Sequence, residues 1–204
     1  MIATASARDK LLDAAVRVIR ERGLAATSVD ELCRAAGVTK GAFFHHFASK
    51  EALAVATAQH WSDTTSAFFS GAPYHTSPDP AQRVLNYVRF RRDMLARPVA
   101  EFTCLAGTMV QEAYSTNPAI RDACANSMLG HAATLVPDIQ AAMDDRGMTA
   151  GLSAESLAAY IQASMQGAFI LAKATGGHAI AEQCYDHLTQ YLTLLFLTDK
   201  ETAS

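Results

Sequence analysis

Cysteine is scarce and scattered in this chain of 204 residues. The four cysteines, at positions 33, 104, 124 and 184, form no C-x-x-C pair. Structural zinc sites and disulfide frameworks both depend on closely spaced cysteines, so neither is expected to organise the fold. Scattered cysteines that are not expected to form disulfides are typical of proteins in a reducing compartment, so the expected location is the cytoplasm.

Charge and long apolar runs are also limited. Charged residues make up 18% of the chain and hydrophobic residues 50%, a balance that excludes an intrinsically disordered protein. The uncharged segment 156–172 contains two glutamines and two serines, which favours a buried helix over a membrane span. The first ten residues lack the apolar core of a secretory signal, so no membrane association is expected.

The overall net charge of −3 hides an uneven distribution. Residues 1–50 carry eight Lys and Arg residues and five acidic residues, a net +3, whereas the remainder carries nine and fifteen, a net −6. Either the basic residues cluster by chance, or this end of the protein touches a polyanion such as DNA.

Strand patterns are missing from the sequence. No run alternates apolar and polar residues for long enough to indicate a β-strand, whereas helical spacing recurs throughout, so the predicted fold is all-α. A first helix ends at Gly23, and residues 71–80, which hold three of the six prolines, form a loop. Further helices are predicted over about 81–96, 100–114, 118–143, 153–175 and 179–198.

Short helices with clear start and stop signals fill the N-terminal region. Ser28 and Glu31 form a capping box that begins a second helix, and Gly37 ends it. Thr39 caps a third helix over residues 40–46. Two short helices joined by a tight glycine turn are what a helix-turn-helix requires.

Catalytic signatures are absent from the sequence. There is no G-x-S-x-G, no phosphate-binding loop and no H-E-x-x-H. His45 and His46 are adjacent, so on a helix they point about 100° apart and do not share a metal ion. We expect neither an enzyme nor a metal or other cofactor.

One segment resembles a known family closely. Residues 27–53, TSVDELCRAAGVTKGAFFHHFASKEAL, are similar without gaps to the DNA-binding signature of the TetR family of bacterial transcriptional regulators. Looser similarity continues in CLAGTMVQEAYSTNPAIRDA (104–123), LAAYIQASMQGAFILAKATGG and YLTLLF, and so spans nearly the whole chain. The resemblance implies a helix-turn-helix head over residues 1–48 and a ligand-binding and dimerisation bundle over residues 49–204, with about nine helices in all.

The same resemblance implies which residues contact double-stranded DNA. Those expected to face base edges or the adjoining backbone are Thr39, Lys40, Gly41, Ala42 and Phe44, and those expected on the phosphate side are Ser28, His45, His46 and Lys50. Lys40 can reach guanine acceptors or a phosphate, and Ala42 can contact a thymine methyl. Phe44 replaces the tyrosine usual in the family and cannot donate a hydrogen bond to phosphate. An alternative for one of the two histidines is that it only covers the core of the head.

A small-molecule effector is expected in the C-terminal bundle, where apolar side chains and a few polar groups line a pocket. The candidate residues are Phe90, Met94, Phe102, Cys104, Met109, Met128, His131, Gln162, Met165, Gln166 and Phe169. Each of them could equally be plain core. Cys104 is either a sensor of oxidants and electrophiles or a small buried hydrophobe.

Two rows of apolar residues near the C-terminus are candidates for the contact between two subunits. The rows comprise Leu157, Ile161, Met165, Ala168 and Ala172 on one helix and Tyr185, Leu188, Leu192 and Leu195 on the next. Their spacing favours a four-helix interface in a homodimer. The alternative is that both rows face the core of their own chain.

Together these features predict a ligand-responsive regulator, most simply a repressor, that binds a palindromic operator as a homodimer. The rival interpretation is a helical ligand-binding protein or enzyme with a degenerate DNA-binding head. A DNA-bridging architectural protein without a ligand is a third.

Overall fold

The computed structural model describes residues 5–148 and 151–197, and every regular element within those ranges is helical. The α-helices are α1 (Ala7–Arg22), α2 (Val29–Ala36), α3 (Lys40–His46), α4 (Lys50–Ser70), α5 (Pro80–Asp93), α6 (Val99–Phe102), α7 (Leu105–Ala113), α8 (Pro118–Ala133), α9 (Val136–Asp145), α10 (Ala154–Thr175) and α11 (Ala179–Leu197). Two short 3-10 segments, Pro73–Thr76 and Met94–Ala96, flank α5. The predicted all-α fold is confirmed. Within these ranges no helix is both long and apolar enough to span a bilayer.

The predicted caps of the N-terminal helices are confirmed. The Ser28 hydroxyl accepts the Glu31 N–H at 3.2 Å, and the Glu31 carboxylate accepts the Ser28 N–H at 3.0 Å. Gly37 ends α2 in the left-handed conformation, with φ of 65°. The Thr39 hydroxyl accepts the Ala42 N–H at 3.1 Å, and α3 begins at the next residue. Short polar side chains thus satisfy backbone groups that a short helix leaves open.

Two of the predicted C-terminal helices are wrong in extent. The helix predicted over 100–114 is broken at Cys104, which is extended and accepts the Gly107 N–H on its Sγ at 3.4 Å, so it caps α7. The helix predicted over 118–143 ends at Ala133, and α9 starts again at Val136. Pro137 lies in the first turn of α9, where its missing N–H is tolerated, whereas in a continuous helix it would break a hydrogen bond.

The chain forms two compact units. The first comprises the chain up to Ser70 together with Thr103–Met128, and the second comprises Gly71–Phe102 with the chain from Leu129 onwards. The core of the first unit is built from side chains that are at most 1% exposed: Leu11, Ile19, Leu32, Phe43, Leu53, Leu105 and Met109. Helix α7 therefore shares one core with the N-terminal helices. The predicted functional boundary at residue 48 stays a prediction, because compactness does not reveal which residues meet DNA.

In the second unit, α5 packs against α9 and α11, and α10 packs against α9 and α11. Two ion pairs join these helices from the side. Arg83 of α5 lies 2.7 Å from Asp138 of α9, and Arg92 of α5 contacts both carboxylate oxygens of Asp186 on α11. Because α5 is paired with α9 at Arg83 and with α11 at Arg92, these ion pairs help to set its orientation relative to the two helices.

The residues predicted to join two subunits are instead core residues of the second unit. Leu157, Ile161, Met165, Ala168, Ala172, Tyr185, Leu188 and Leu192 are each at most 4% exposed within a single chain, and Leu195 is half-buried. Side chains already buried against α5 and α9 have no surface to offer a second subunit. For the eight buried residues the prediction of a partner contact is wrong, because their spacing is shared by any helix that packs inside a bundle. For Leu195 it stays a prediction.

The turn after α1 depends on a glycine. Gly23 has φ of 87° and ψ of 162°, a region that is essentially restricted to glycine. A methyl group at this position would lie 2.2 Å from the Oε1 of Glu112, whose other carboxylate oxygen accepts the Ala25 N–H at 2.6 Å. We expect Gly23→Ala to lower the free energy of unfolding by about 2–4 kcal/mol, from backbone strain and from the displaced carboxylate, as measured by urea denaturation.

Gly37→Ala is the matched control, because Gly37 also has positive φ but has nothing within 4 Å of an added methyl group. It should cost only about 1–2 kcal/mol. Equal losses for the two variants would show that the Glu112 contact contributes nothing.

Candidate functional site

Helix α3 has one buried and one exposed side. Phe43 is fully buried, and Phe47, just past the helix, is 5% exposed. Phe44 points the other way and is 51% exposed, beside the exposed residues His45 and His46. An exposed phenylalanine ring next to two histidines is typical of a surface that binds another molecule.

The first turn of α3 continues this exposed surface. Thr39, Lys40 and Gly41 are exposed, and Ala42 is half-buried. An added methyl group at Gly41 would meet nothing closer than the Thr39 hydroxyl at 3.8 Å, so the packing of the protein itself does not require glycine there. Of the residues predicted to approach base edges, all but Ala42 are therefore exposed in the first unit.

Lys40 is held by a neighbouring acid. Its Nζ lies 2.9 Å from Asp30 of α2, and both side chains are more than half exposed. Exposed ion pairs contribute little to stability, so a phosphate can displace the carboxylate at small cost. The Asp30 carboxylate would then face the phosphate backbone, and repulsion between the two negative charges would weaken the attraction between DNA and this part of the protein.

Two residues predicted on the phosphate side also have partners within the protein. The Nζ of Lys50 donates to the carbonyl oxygens of Leu24 and Thr27, at 3.1 Å and 3.0 Å. The Ser28 hydroxyl belongs to the capping box with Glu31. Lys50 therefore braces the turn before α2, and its predicted contact with a DNA phosphate stays a prediction.

The three-helix head with an exposed recognition surface matches a known family. A sequence profile described as "Bacterial regulatory proteins, tetR family" matches residues 11–57, and one described as "Tetracyclin repressor-like, C-terminal domain" matches residues 80–188, more than half of the chain. The chain belongs to the TetR family of bacterial transcriptional regulators. The N-terminal match identifies the head as the DNA-binding domain of this TetR-family protein.

Curated relatives of this TetR-family chain are transcriptional regulators. The repressor DhaR of Mycobacterium sp. (strain GP1) is 25% identical over 93% of this chain and 90% of its own length. AcuR of Cereibacter sphaeroides is 28% identical over 52% of this chain and 48% of its own. The repressor KstR2 of Rhodococcus jostii is 48% identical, but the match spans only 22% of its length, and a match to YerO of Bacillus subtilis spans only 19%.

Solved structures agree in fold. The regulatory protein TetR from Rhodobacter sphaeroides superposes with a TM-score of 0.80 at 21% identity, over 92% of this chain and 99% of the other. Reduced NemR of E. coli superposes with a TM-score of 0.75 at 23% identity, over 90% and 95%. Both superpositions include the N-terminal head as well as the C-terminal bundle of this chain.

Only some of the predicted effector residues come together in the second unit. His131 and Met165 both contact the hydroxyl of Tyr87, and Phe169 packs against Phe102 with ring centroids 6.0 Å apart. Phe90 packs against Tyr74, which itself packs against Tyr87, and Met94, Gln162 and Gln166 are half-buried. The sequence-based candidates omit Tyr87 and Arg91, although their i, i+4 spacing on α5 places them on one face.

The other predicted effector residues belong to the first unit. Met109 is a fully buried part of its core, and Cys104 and Met128 pack against that core. Cys124 lies nearby, and burial raises the pKa of its thiol to about 12. Cys104, Met109 and Met128 thus belong to a different unit from the other candidates, and their role in effector binding stays a prediction.

His131 is shielded from water in the second unit. Burial, and secondarily the nearby Arg91, lower the pKa of the imidazole from 6.5 to about 4, so the ring is neutral near pH 7. Among the residues that the structure describes, no group of three or more His, Cys, Asp or Glu side chains could hold a metal ion.

The substitution Gly41→Ala is expected to change the stability of the protein and its affinity for DNA in opposite directions. Glycine inside a helix costs about 0.5–1 kcal/mol relative to alanine, so Gly41→Ala should raise the free energy of unfolding by that amount. The same methyl group would stand on the surface that the resemblance predicts to approach DNA, where it should weaken binding about tenfold or more, a loss of at least about 1.4 kcal/mol. Urea denaturation and fluorescence anisotropy with duplex DNA measure the two effects.

Gly130→Ala, in α8, is the matched control, since Gly130 also lies inside a helix and its added methyl group meets nothing within 4 Å. It should stabilise the protein without changing DNA affinity. Unchanged DNA affinity in Gly41→Ala would exclude a close approach of DNA at this position.

Proposed function

We propose that the protein is a homodimeric transcriptional repressor that binds a palindromic operator and is released from it by a small, mostly apolar effector. The observation that carries the proposal is the exposed face of α3, where Phe44 projects beside Lys40, His45 and His46. In a helix-turn-helix this is the helix that lies in the major groove. DhaR and KstR2, two of the relatives, are themselves named repressors.

Contacts with the operator are of two kinds: those with phosphates position the protein on DNA, and those with base edges recognise the DNA sequence. His45 and His46 suit phosphate contacts, and Lys40, once it leaves Asp30, suits a guanine edge or a phosphate. Phe44 and Ala42 suit apolar contact with thymine methyl groups or sugars. Bacterial DNA lies in the cytoplasm, so the proposed location is cytoplasmic.

The dimer would use the outer faces of α10 and α11 instead of the buried rows. Six large apolar side chains on these helices are 39–57% exposed: Tyr160, Ile170, Leu171, Tyr191, Leu194 and Leu197. The rings of Tyr160 and Tyr191 lie 5.4 Å apart, so the two faces form one patch. A second copy of the chain is the occupant that a two-fold operator requires, because each half-site takes one head.

Selection from random-sequence duplex DNA by the purified protein tests the proposal. Enrichment of an inverted repeat is expected, with affinity that falls steeply as salt rises because bound Lys and Arg displace counterions. Lys40→Ala should weaken binding, and if Lys40 meets a phosphate in each half-site it should reduce the slope of log K against log salt by about 1.8, or about 0.9 for each head. Failure to enrich any sequence would exclude a sequence-specific regulator.

The proposed dimer surface gives a separate prediction. Leu194→Glu, at a position 57% exposed, should convert dimers to monomers because it places a charge in an apolar interface. Sedimentation velocity should detect the monomer, and operator affinity should fall by about 100-fold or more as the second head is lost.

Leu129→Glu is the matched control, since this leucine of α8 is 62% exposed and lies outside the α10 and α11 faces. It should remain dimeric and bind DNA normally. A monomeric Leu129→Glu together with a dimeric Leu194→Glu would move the interface away from α10 and α11.

A further inference from the structure

The first turn of α1 packs beside the C-terminal end of α3. The guanidinium carbon of Arg8 lies 5.7 Å from the centroid of the Phe47 ring, and Phe47 directly follows α3. The rings of Phe47 and His46 have centroids 6.4 Å apart, so Phe47 lies beside both Arg8 and His46. Both Arg8 and His46 are exposed. A cation on α1 therefore adjoins the surface of α3 that is proposed to meet DNA.

Arg8 differs from other cations of the head in its electrostatic surroundings. Arg22 is paired with Glu31 at 3.0 Å, and Lys40 is paired with Asp30 at 2.9 Å. Within residues 5–148 and 151–197, no acidic side chain forms an ion pair with Arg8. A phosphate that approaches Arg8 therefore has no carboxylate to displace.

The acid next to Arg8 in the sequence is engaged in capping α1. The Asp9 carboxylate accepts the Ser6 O–H at 2.7 Å and the Ser6 N–H at 3.3 Å, as part of a capping box. These hydrogen bonds hold the carboxylate at the start of the helix instead of against the guanidinium. Arg8 is the second residue of α1, where the partial positive charge of the helix end also favours an anion.

The contact with Phe47 orients the Arg8 side chain. A guanidinium within about 6 Å of a ring centroid is attracted by the π electrons of the ring. The Phe47 ring is 5% exposed and belongs to the core of the first unit, so it is a fixed support. Attraction to a ring occupies no hydrogen-bond acceptor of the protein, and guanidinium N–H groups are strong donors to phosphate oxygens.

We propose that Arg8 binds a phosphate of the operator backbone, so that the DNA-binding surface extends from α3 onto α1. This proposal rests on the operator-binding function given above and adds a contact to it. In a helix-turn-helix the N-terminal residues of the recognition helix contact base edges. Arg8 lies by the opposite end of α3, which favours contact with the backbone over contact with a base. The planar guanidinium matches the geometry of phosphate oxygens.

A salt titration of Arg8→Gln tests the contact. In a homodimer the substitution removes two phosphate contacts, so the slope of log K against log salt should fall by about 1.8. Between about 50 mM and 200 mM salt, the affinity of the wild-type protein for the selected operator should then fall about 12-fold more than that of the variant. Fluorescence anisotropy with the full-length proteins measures both slopes, and an unchanged slope would overturn the proposal.

Three further variants separate a phosphate contact from other effects. Arg8→Lys keeps the charge and should keep the slope, whereas Arg8→Met keeps the apolar stem on Phe47 and should lower the slope as Arg8→Gln does. Arg17→Gln is the matched control, because Arg17 is exposed on the opposite side of α1, about 13 Å further along the helix. It should leave the slope unchanged, and an equal change in Arg17→Gln would overturn the proposal by assigning the effect to net charge.

Melting temperatures of the same variants test whether Arg8 only covers the Phe47 ring. Loss of the cation–π contact in Arg8→Gln should lower the melting temperature by about 1–4 °C. Such a fall together with an unchanged slope would limit Arg8 to a structural role and overturn the proposal. Should Arg8→Gln fail to fold, as judged by circular dichroism, Arg8→Met decides the question.

A scrambled duplex of the same length separates this proposal from the wider one. Phosphate contacts carry no sequence information, so Arg8→Gln should weaken binding to the operator and to the scrambled duplex by similar factors. A loss confined to the operator would overturn the phosphate assignment in favour of a base contact. If an operator is selected and the slope does not change, this proposal fails and the repressor proposal stands. If no sequence is selected but the slope on the scrambled duplex depends on Arg8, the phosphate contact is supported and the repressor proposal fails.

Discussion

The recognition helix is too short to be stable by itself, and much of the head follows from that constraint. Isolated helices of fewer than about 12 residues are marginal in water, and α3 has seven residues. Its stability must come from the burial of Phe43 and Phe47 and from the cap at Thr39. Anchoring one side of so short a helix leaves the other side to solvent, so the surface proposed to face DNA is a consequence of how α3 is held.

That anchoring extends beyond the three helices of the head. Arg20 of α1 donates to the carbonyl of Thr103 at 2.9 Å, and the Ala25 N–H donates to Glu112 of α7. Leu105 and Met109 of α7 complete the core around α1 and α4. The DNA-binding surface is therefore built on a unit that includes α7, a helix far along the chain.

Local signals in the sequence were sufficient for the head and insufficient for the bundle. Caps at Ser28 and Thr39 act within three residues, so the starts of α2 and α3 are readable from sequence. The break at Cys104 depends on its thiol sulfur accepting the Gly107 N–H, a contact that exists only within the folded turn. Which side of α10 faces inwards depends on where α5 and α9 lie, so Leu157 and Tyr160 are both plausible interface residues until the packing is known.

Polar clusters inside the bundle were harder still to predict. Arg91 reads as one of several basic residues at the end of α5, and Tyr87 reads as an ordinary core aromatic. Their relation to His131, 40 residues or more away along the chain, exists only after α5 and α8 have packed. Gly41 differs from these residues, since the family resemblance alone was enough to predict it as a DNA-contacting residue, without knowledge of the packing.

The attachment of α1 to α7 has a mechanical consequence. In the proposed dimer, half-sites on DNA lie about 34 Å apart, so each recognition helix lies about 17 Å from the two-fold axis. A rotation of only about 5° at that radius moves the helix by about 1.5 Å, which is enough to break hydrogen bonds whose useful range is about 0.5 Å. A small tilt of α7, transmitted through Glu112 and Thr103, would suffice to take the two heads out of phase with the groove.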